Sequence, residues 1–181
     1  MISLELTDNR AFMSKLLLSE AFDHFRTLEA SITTYNTFHI DGLIHPEFYM
    51  DSPEDTISAK SIASGEAGAE AAREPEAYSL WKDLRPVCFS LIKGKRSPLR
   101  FKIVLFRDAE AVGQLLEEKG LSSLIPYISG MILTILFEDG ALTCVTGVSM
   151  KSFTMNKEGE RLWDETVQDF LNKMELPFLL R

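Results

Sequence analysis

Leu4 and Leu6 alternate with polar neighbours, and Phe12, Met13, Leu16 and Leu17 then fall at helical spacing. Period two predicts a short strand, and the i, i+3, i+4 pattern predicts a helix from about Asn9 to Glu20. Thr7, Asp8 and Asn9 are suitable N-cap residues for it. From Phe25 to Ile40 the period returns to two. Leu28, Ala30, Ile32, Phe38 and Ile40 should face the core, while Thr27, Glu29, Ser31, Thr33, Tyr35, Thr37 and His39 face outward. Asp41-Gly42 then reads as a type I′ turn, which needs positive φ at both central residues.

The same order recurs about 98 residues later. Arg100 to Phe106 predicts a strand, and Asp108 to Lys119 a helix with Gly120 as its C′ residue. Met131 to Phe137 predicts another strand, Asp139-Gly140 a turn, and Ala141 to Val148 the returning strand. The Met131 strand is apolar on both faces. It should lie deeper than its counterpart or be covered by a helix.

Three segments fall outside this echo. Residues 51–77 carry seven acidic and two basic residues, many Ala, Ser and Gly, and almost no large apolar side chain. They read as a mobile acidic insertion, with room for a short helix within Glu66 to Arg73. Tyr78 to Lys93 places Leu80, Leu84, Val87, Cys88 and Leu91 on one helical face, with Gly94 as the stop. Pro86 must kink that helix or mark a fresh start. Lys157 to Met174 predicts a C-terminal helix whose buried stripe is Leu162, Trp163, Val167, Phe170, Leu171 and Met174. The whole is a single α+β domain: half 1 over about 1–50, the insertion, a helix over 78–93, half 2 over about 99–156, and a helix over 157–174.

Composition narrows the class without naming an activity. The chain has 181 residues, 45% hydrophobic and 25% charged, enough to bury a core without disulfides. Cys88 and Cys144 sit in apolar stretches at no ligand spacing, so both read as reduced core residues of a cytoplasmic protein. The first residues lack the basic and apolar regions of a signal peptide, and the longest apolar run has strand length, so no membrane association is expected. A net charge of −8 argues against general coating of nucleic acid.

Against that acidic background, Lys93, Lys95, Arg96, Arg100 and Lys102 form a stretch of five basic residues without an acid. Such a loop can bind a phosphate, a nucleic acid or an acidic partner. It can equally be a solvated loop, or pair with the acidic insertion. Trp81, Phe89, Phe101 and Phe106 lie near it in sequence, but their spacing assigns them to the core. His39, Asp41 and His45 are the candidate metal ligands, at a spacing that matches no known site. Asp41 is also explained by its turn, and no other cofactor is implied. His24 reads as a surface or capping residue. No Gly-x-Ser-x-Gly, His-Glu-x-x-His, Walker or Cys–His pattern occurs.

Two resemblances follow from these residues. Leu80-Trp81-Lys82-Asp83-Leu84-Arg85-Pro86 through Lys93-Gly94-Lys95-Arg96-Ser97-Pro98-Leu99, with Phe12-Met13-Ser14-Lys15-Leu16-Leu17, resembles a small bacterial family of unknown function. The repeated strand, helix and strand–Asp-Gly–strand, especially Met131 to Gly147, is similar to the unit of DNA sliding clamps. That second resemblance implies two related β-α-β-β(-β) halves. It implies a DNA role less well, because Asp108, Glu110, Glu117 and Glu118 make the second helix acidic where clamps are basic. The leading expectation is a non-enzymatic binding or interaction module contacting an anion, a nucleic acid or a protein partner at the basic loop. The alternatives are a small enzyme on an anionic substrate, using His39 or Tyr35 for proton transfer, and a clamp-like subunit of a self-associated ring.

Overall fold

The computed structural model describes residues 1–49, 77–152 and 154–181. The acidic insertion, apart from Ala77, lies outside them, as does its expected helix. The elements are β1 (Ser3–Leu6), α1 (Asn9–Leu18), β2 (Arg26–Thr33), β3 (Thr37–Asp41) and α2 (Trp81–Ile92). They continue with β4 (Arg100–Arg107), α3 (Ala109–Glu118), β5 (Ile128–Glu138), β6 (Ala141–Met150), α4 (Glu158–Lys173) and β7 (Phe178–Leu180). The strands form one seven-stranded sheet in the order β3-β2-β4-β5-β6-β1-β7. Every neighbouring pair is antiparallel, so the fold is α+β.

The core follows from strand alternation. Leu4, Cys144, Ile135, Ile103, Ala30 and Ile40 stand side by side across six strands. A second row holds Leu6, Leu142, Phe137, Phe101, Ile32 and Phe38. Helical stripes meet these rows: Phe12 and Leu16 from α1, Trp81 and Cys88 from α2, Val112 and Leu116 from α3, Trp163, Val167 and Leu171 from α4. Each fully buried side chain of this size contributes about 1.5–3 kcal/mol. All four described helices therefore share one face of the sheet. The Met131 strand does lie centrally, as β5, and its other-face residues Ile132, Thr134 and Leu136 are half-buried.

The strand–helix–strand–strand order recurs, but the sheet uses the two runs differently. β4 and β5 are antiparallel neighbours. β1 and β2 have β6, β5 and β4 between them and run parallel. Two local expectations also fail. Asp139 and Gly140 have φ of 51° and 80°, as a type I′ turn requires, whereas neither Asp41 nor Gly42 has positive φ. The first hairpin turns earlier, between Thr33 and Thr37, so Phe25 to Ile40 is two strands. Gly42 is needed for close approach instead, since a Cβ there would stand 1.8 Å from the Thr27 carbonyl oxygen. That contact coincides with a β-bulge between Thr27 and Glu29. The extra residue turns Thr27, expected outside, fully inward.

α2 is one helix through Pro86 rather than two. Its Val87 is 48% exposed, not buried as its spacing suggested. It stops after Ile92 with Lys93 extended, without a left-handed glycine at Gly94. The Trp81 indole donates to the Leu16 carbonyl at 2.9 Å, and Arg85 donates to the Ser19 carbonyl and pairs with Asp23 at 3.2 Å. The start of α2 is thereby fixed to the end of α1. At the other end of α1, Asp8 accepts from the Ala11 amide at 2.8 Å, and Asn9 Nδ2 donates to the Gly140 carbonyl at 2.8 Å.

Candidate functional site

A groove of about 770 Å³ lies between α1, the end of α2, and the loop that leads into β4. Asn9, Arg10, Met13, Ser14, Leu17 and Leu18 line it from α1. Their spacing is that of one helical face. Phe89, Ile92 and Lys93 line it from α2, followed by the loop 94–98. Phe101 and Phe137 supply aromatic lining from the sheet, their rings stacked with centroids 5.3 Å apart. Gly140 of the second Asp-Gly turn closes one end beside Asn9.

The charge along this groove is one-sided. Arg10, Lys93, Lys95 and Arg96 line it, and among the described residues no Asp or Glu does. All four are exposed. Lys93 Nζ lies 5.7 Å from the Phe89 ring centroid, close enough for a cation–π contact. Its position at the end of α2 is also favourable for a cation, because helix carbonyls point that way. Cations that share one groove repel one another where they fall within the Debye length of about 10 Å, and a bound anion relieves such repulsion.

The five expected anion-binding residues divide. Lys93, Lys95 and Arg96 reach the groove. Arg100 instead pairs with Glu138 at 3.9 Å, and Lys102 with Glu29 at 2.6 Å. Phe101 and Ile103 face the core, so Arg100 and Lys102 project from the opposite side of β4. Arg10 joins the groove from a different part of the chain. Gly94 is not there for a close backbone approach, since a Cβ would meet nothing nearer than the Arg96 carbonyl at 3.7 Å.

The candidate metal ligands do not converge. His39 is exposed on edge strand β3. Asp41 accepts a hydrogen bond from the Leu43 amide at 2.9 Å, and His45 Nδ1 bonds Glu47 at 2.9 Å. Among the described residues no group of three or more His, Cys, Asp and Glu could hold a metal ion. Tyr35 is 86% exposed in the β2–β3 turn and packs edge-on against Phe38. Neither Tyr35 nor His39 lines the groove. His24 is exposed at one side, while its ring packs tilted against Phe25 and edge-on to Phe170. Its pKa is depressed, first by partial burial and then by Arg107, with Asp23 opposing.

Cys88 and Cys144 are both buried and free. Burial pushes the Cys88 thiol up to about 12 and the Cys144 thiol upward as well, which leaves both as unreactive packing groups. No described helix is long and apolar enough to cross a membrane.

The chain belongs to a family of unknown function (DUF5721), whose model matches residues 15–179. No curated protein and no solved structure matches it.

Proposed function

We propose that this protein is a binding module and that the groove between α1 and α2 takes an anionic ligand with an apolar portion. One observation carries the reading. Four exposed cations line a groove with apolar walls and, among the described residues, no acidic lining, in a chain of net charge −8. Guanidinium and ammonium groups would hold the anion, and Met13, Leu17, Phe89 and Ile92 would hold the apolar part. Binding is favoured over catalysis by the lining itself, which among the described residues includes no His, Cys, Asp, Glu or Tyr. A general base titrating near neutrality is therefore not at hand.

The test is calorimetric titration with dodecyl phosphate, below its micelle concentration, against dodecyltrimethylammonium. Only the anionic amphiphile should bind. Replacing Arg10, Lys95 and Arg96 together with Glu should weaken it at least roughly tenfold, by loss of charge-assisted hydrogen bonds. Equal binding of the cationic amphiphile, or no effect of the triple replacement, would refute the assignment.

A further inference from the structure

Resting on that reading, we propose that the natural occupant of the groove is an acidic amphipathic helix of a partner protein. The α1 wall runs from Asn9 to Leu18, the full length of that helix. At 1.5 Å per residue this is about 14 Å, the span of about ten residues of a second helix. The groove is open along its side, so a polymer segment can lie in it, whereas a small ligand would be poorly enclosed. A helix laid in a groove presents apolar side chains at i, i+3, i+4 and i+7. Met13, Leu17, Leu18, Phe89 and Ile92 offer the matching apolar wall. Carboxylates flanking that stripe would meet Arg10 and the Lys95–Arg96 loop.

Charge complementarity decides the sign of the partner, and the aromatic rings decide its class. Single-stranded nucleic acid would need free ring faces on which bases stack. Phe101 is 2% exposed and already stacked on Phe137, and the Phe89 ring carries the Lys93 ammonium. The lining leaves cations for phosphates but no open platform for bases, which favours a peptide.

Fluorescence anisotropy with the full chain tests this. The probe is a labelled synthetic peptide of about twelve residues, with Leu at i, i+3, i+4 and i+7 and Glu at most other positions. Controls replace its Leu with Ser or its Glu with Lys, and a labelled oligothymidylate of similar length stands for nucleic acid. The acidic amphipathic peptide should bind at least roughly tenfold more tightly than any control, and weaken as salt rises from about 50 to 300 mM. Leu18→Glu, and Lys95→Glu with Arg96→Glu, should each cost roughly tenfold or more. These side chains are exposed, so thermal unfolding should stay at the wild-type temperature, and the control peptides test the wild-type chain in any case. Tighter binding of the oligothymidylate, or equal binding of the Ser-substituted peptide, overturns the proposal. Binding of dodecyl phosphate without the peptide overturns the helix partner and leaves the anion groove standing. Failure of both probes removes both.

Discussion

Replacing Gly42 with alanine should be among the most damaging single-atom additions this fold can receive. The new Cβ would stand 1.8 Å from the Thr27 carbonyl oxygen, 2.6 Å from its carbon and 3.2 Å from the Leu28 oxygen. All three are backbone atoms of β2 and cannot rotate away as a side chain can. Relief requires the chain at Gly42 to lift off β2. Three hydrogen bonds meet there: the Gly42 amide to the Leu28 carbonyl at 3.0 Å, the Ser79 amide to the Gly42 carbonyl at 2.8 Å, and the Thr27 amide to the Ser79 carbonyl at 2.9 Å. At about 1 kcal/mol each, their loss costs about 3 kcal/mol, a large part of a typical 5–15 kcal/mol. Gly140 supplies the control. It needs a left-handed backbone, φ 80°, but a Cβ there meets nothing within 4 Å. Asparagine tolerates that backbone, so Gly140→Asn should cost less than about 1 kcal/mol, whereas Gly42→Asn should cost as much as Gly42→Ala. Urea unfolding followed by fluorescence of the buried Trp81 and Trp163 reads both. A Gly42→Ala midpoint matching wild type, or a Gly42→Asn loss no greater than that of Gly140→Asn, would refute the close-approach account.

Two further substitutions probe the scaffold around the groove and the sheet. Trp81→Phe removes the indole donor to the Leu16 carbonyl and leaves that buried acceptor unpaired; the unfolding free energy should fall by about 1–3 kcal/mol and the urea midpoint with it, and an unchanged midpoint would mean the contact does not tie α1 to α2. Asp108 binds Arg26 Nε at 2.8 Å and caps α3 through the Ala111 amide at 3.0 Å. Burial raises its pKa, but the Ala111 amide, the Arg26 hydrogen bond and the charges of Arg26 and Arg107 outweigh burial, so the folded-state pKa is depressed. A depressed carboxylate stabilises above its unfolded-state pKa of about 3.9, and that contribution is lost as pH falls through the folded-state value. Asp108→Asn should therefore be less stable than wild type at neutral pH, with the gap closing as pH drops below about 4; a gap that does not change with pH would refute it.

Much of the fold was legible because period two and period 3.6 are imposed by burial. Ala30, Ile32 and Ile40 face the core as their alternation requires, and the stripes of α1, α3 and α4 meet one apolar face. Of the stripe expected on α2, only Cys88 and Leu91 join the core, and Leu28 and Phe38 of the strands do not. Alternation failed at Thr27 because a bulge changes phase by one residue without any mark in composition. Asp41-Gly42 failed because glycine serves two needs, positive φ and missing bulk, and a dipeptide does not say which. Strand neighbours were illegible for a further reason. The pairing of β1 with β6 joins residues such as Leu4 and Cys144, and no local pattern specifies such a partner. The short strand β7 gave no signal, since Leu179 and Leu180 are exposed and a three-residue strand has no period to read.

The groove shows why five basic residues in one stretch did not make one site. Within a strand, Arg100 and Lys102 must flank the inward Phe101, so the same alternation that buries Phe101 turns both cations away, to Glu138 and Glu29. Only the part of the stretch before the strand is free to face α1, and it is joined there by Arg10, more than eighty residues earlier in the sequence. Among the described residues, the second strand–helix–strand–strand run has no second helix packed beside α3 in the way α2 packs beside α1. α3 is followed by a single turn at Ser122–Leu124 rather than flanked by a helix such as α2, and its surface carries Glu110, Glu117 and Glu118. Among the described residues, a second wall and a basic rim stand where α2, which the repeat does not contain, packs beside α1. The site therefore belongs to what distinguishes the two runs, and variants of α2 and its loop should change binding while leaving the sheet intact.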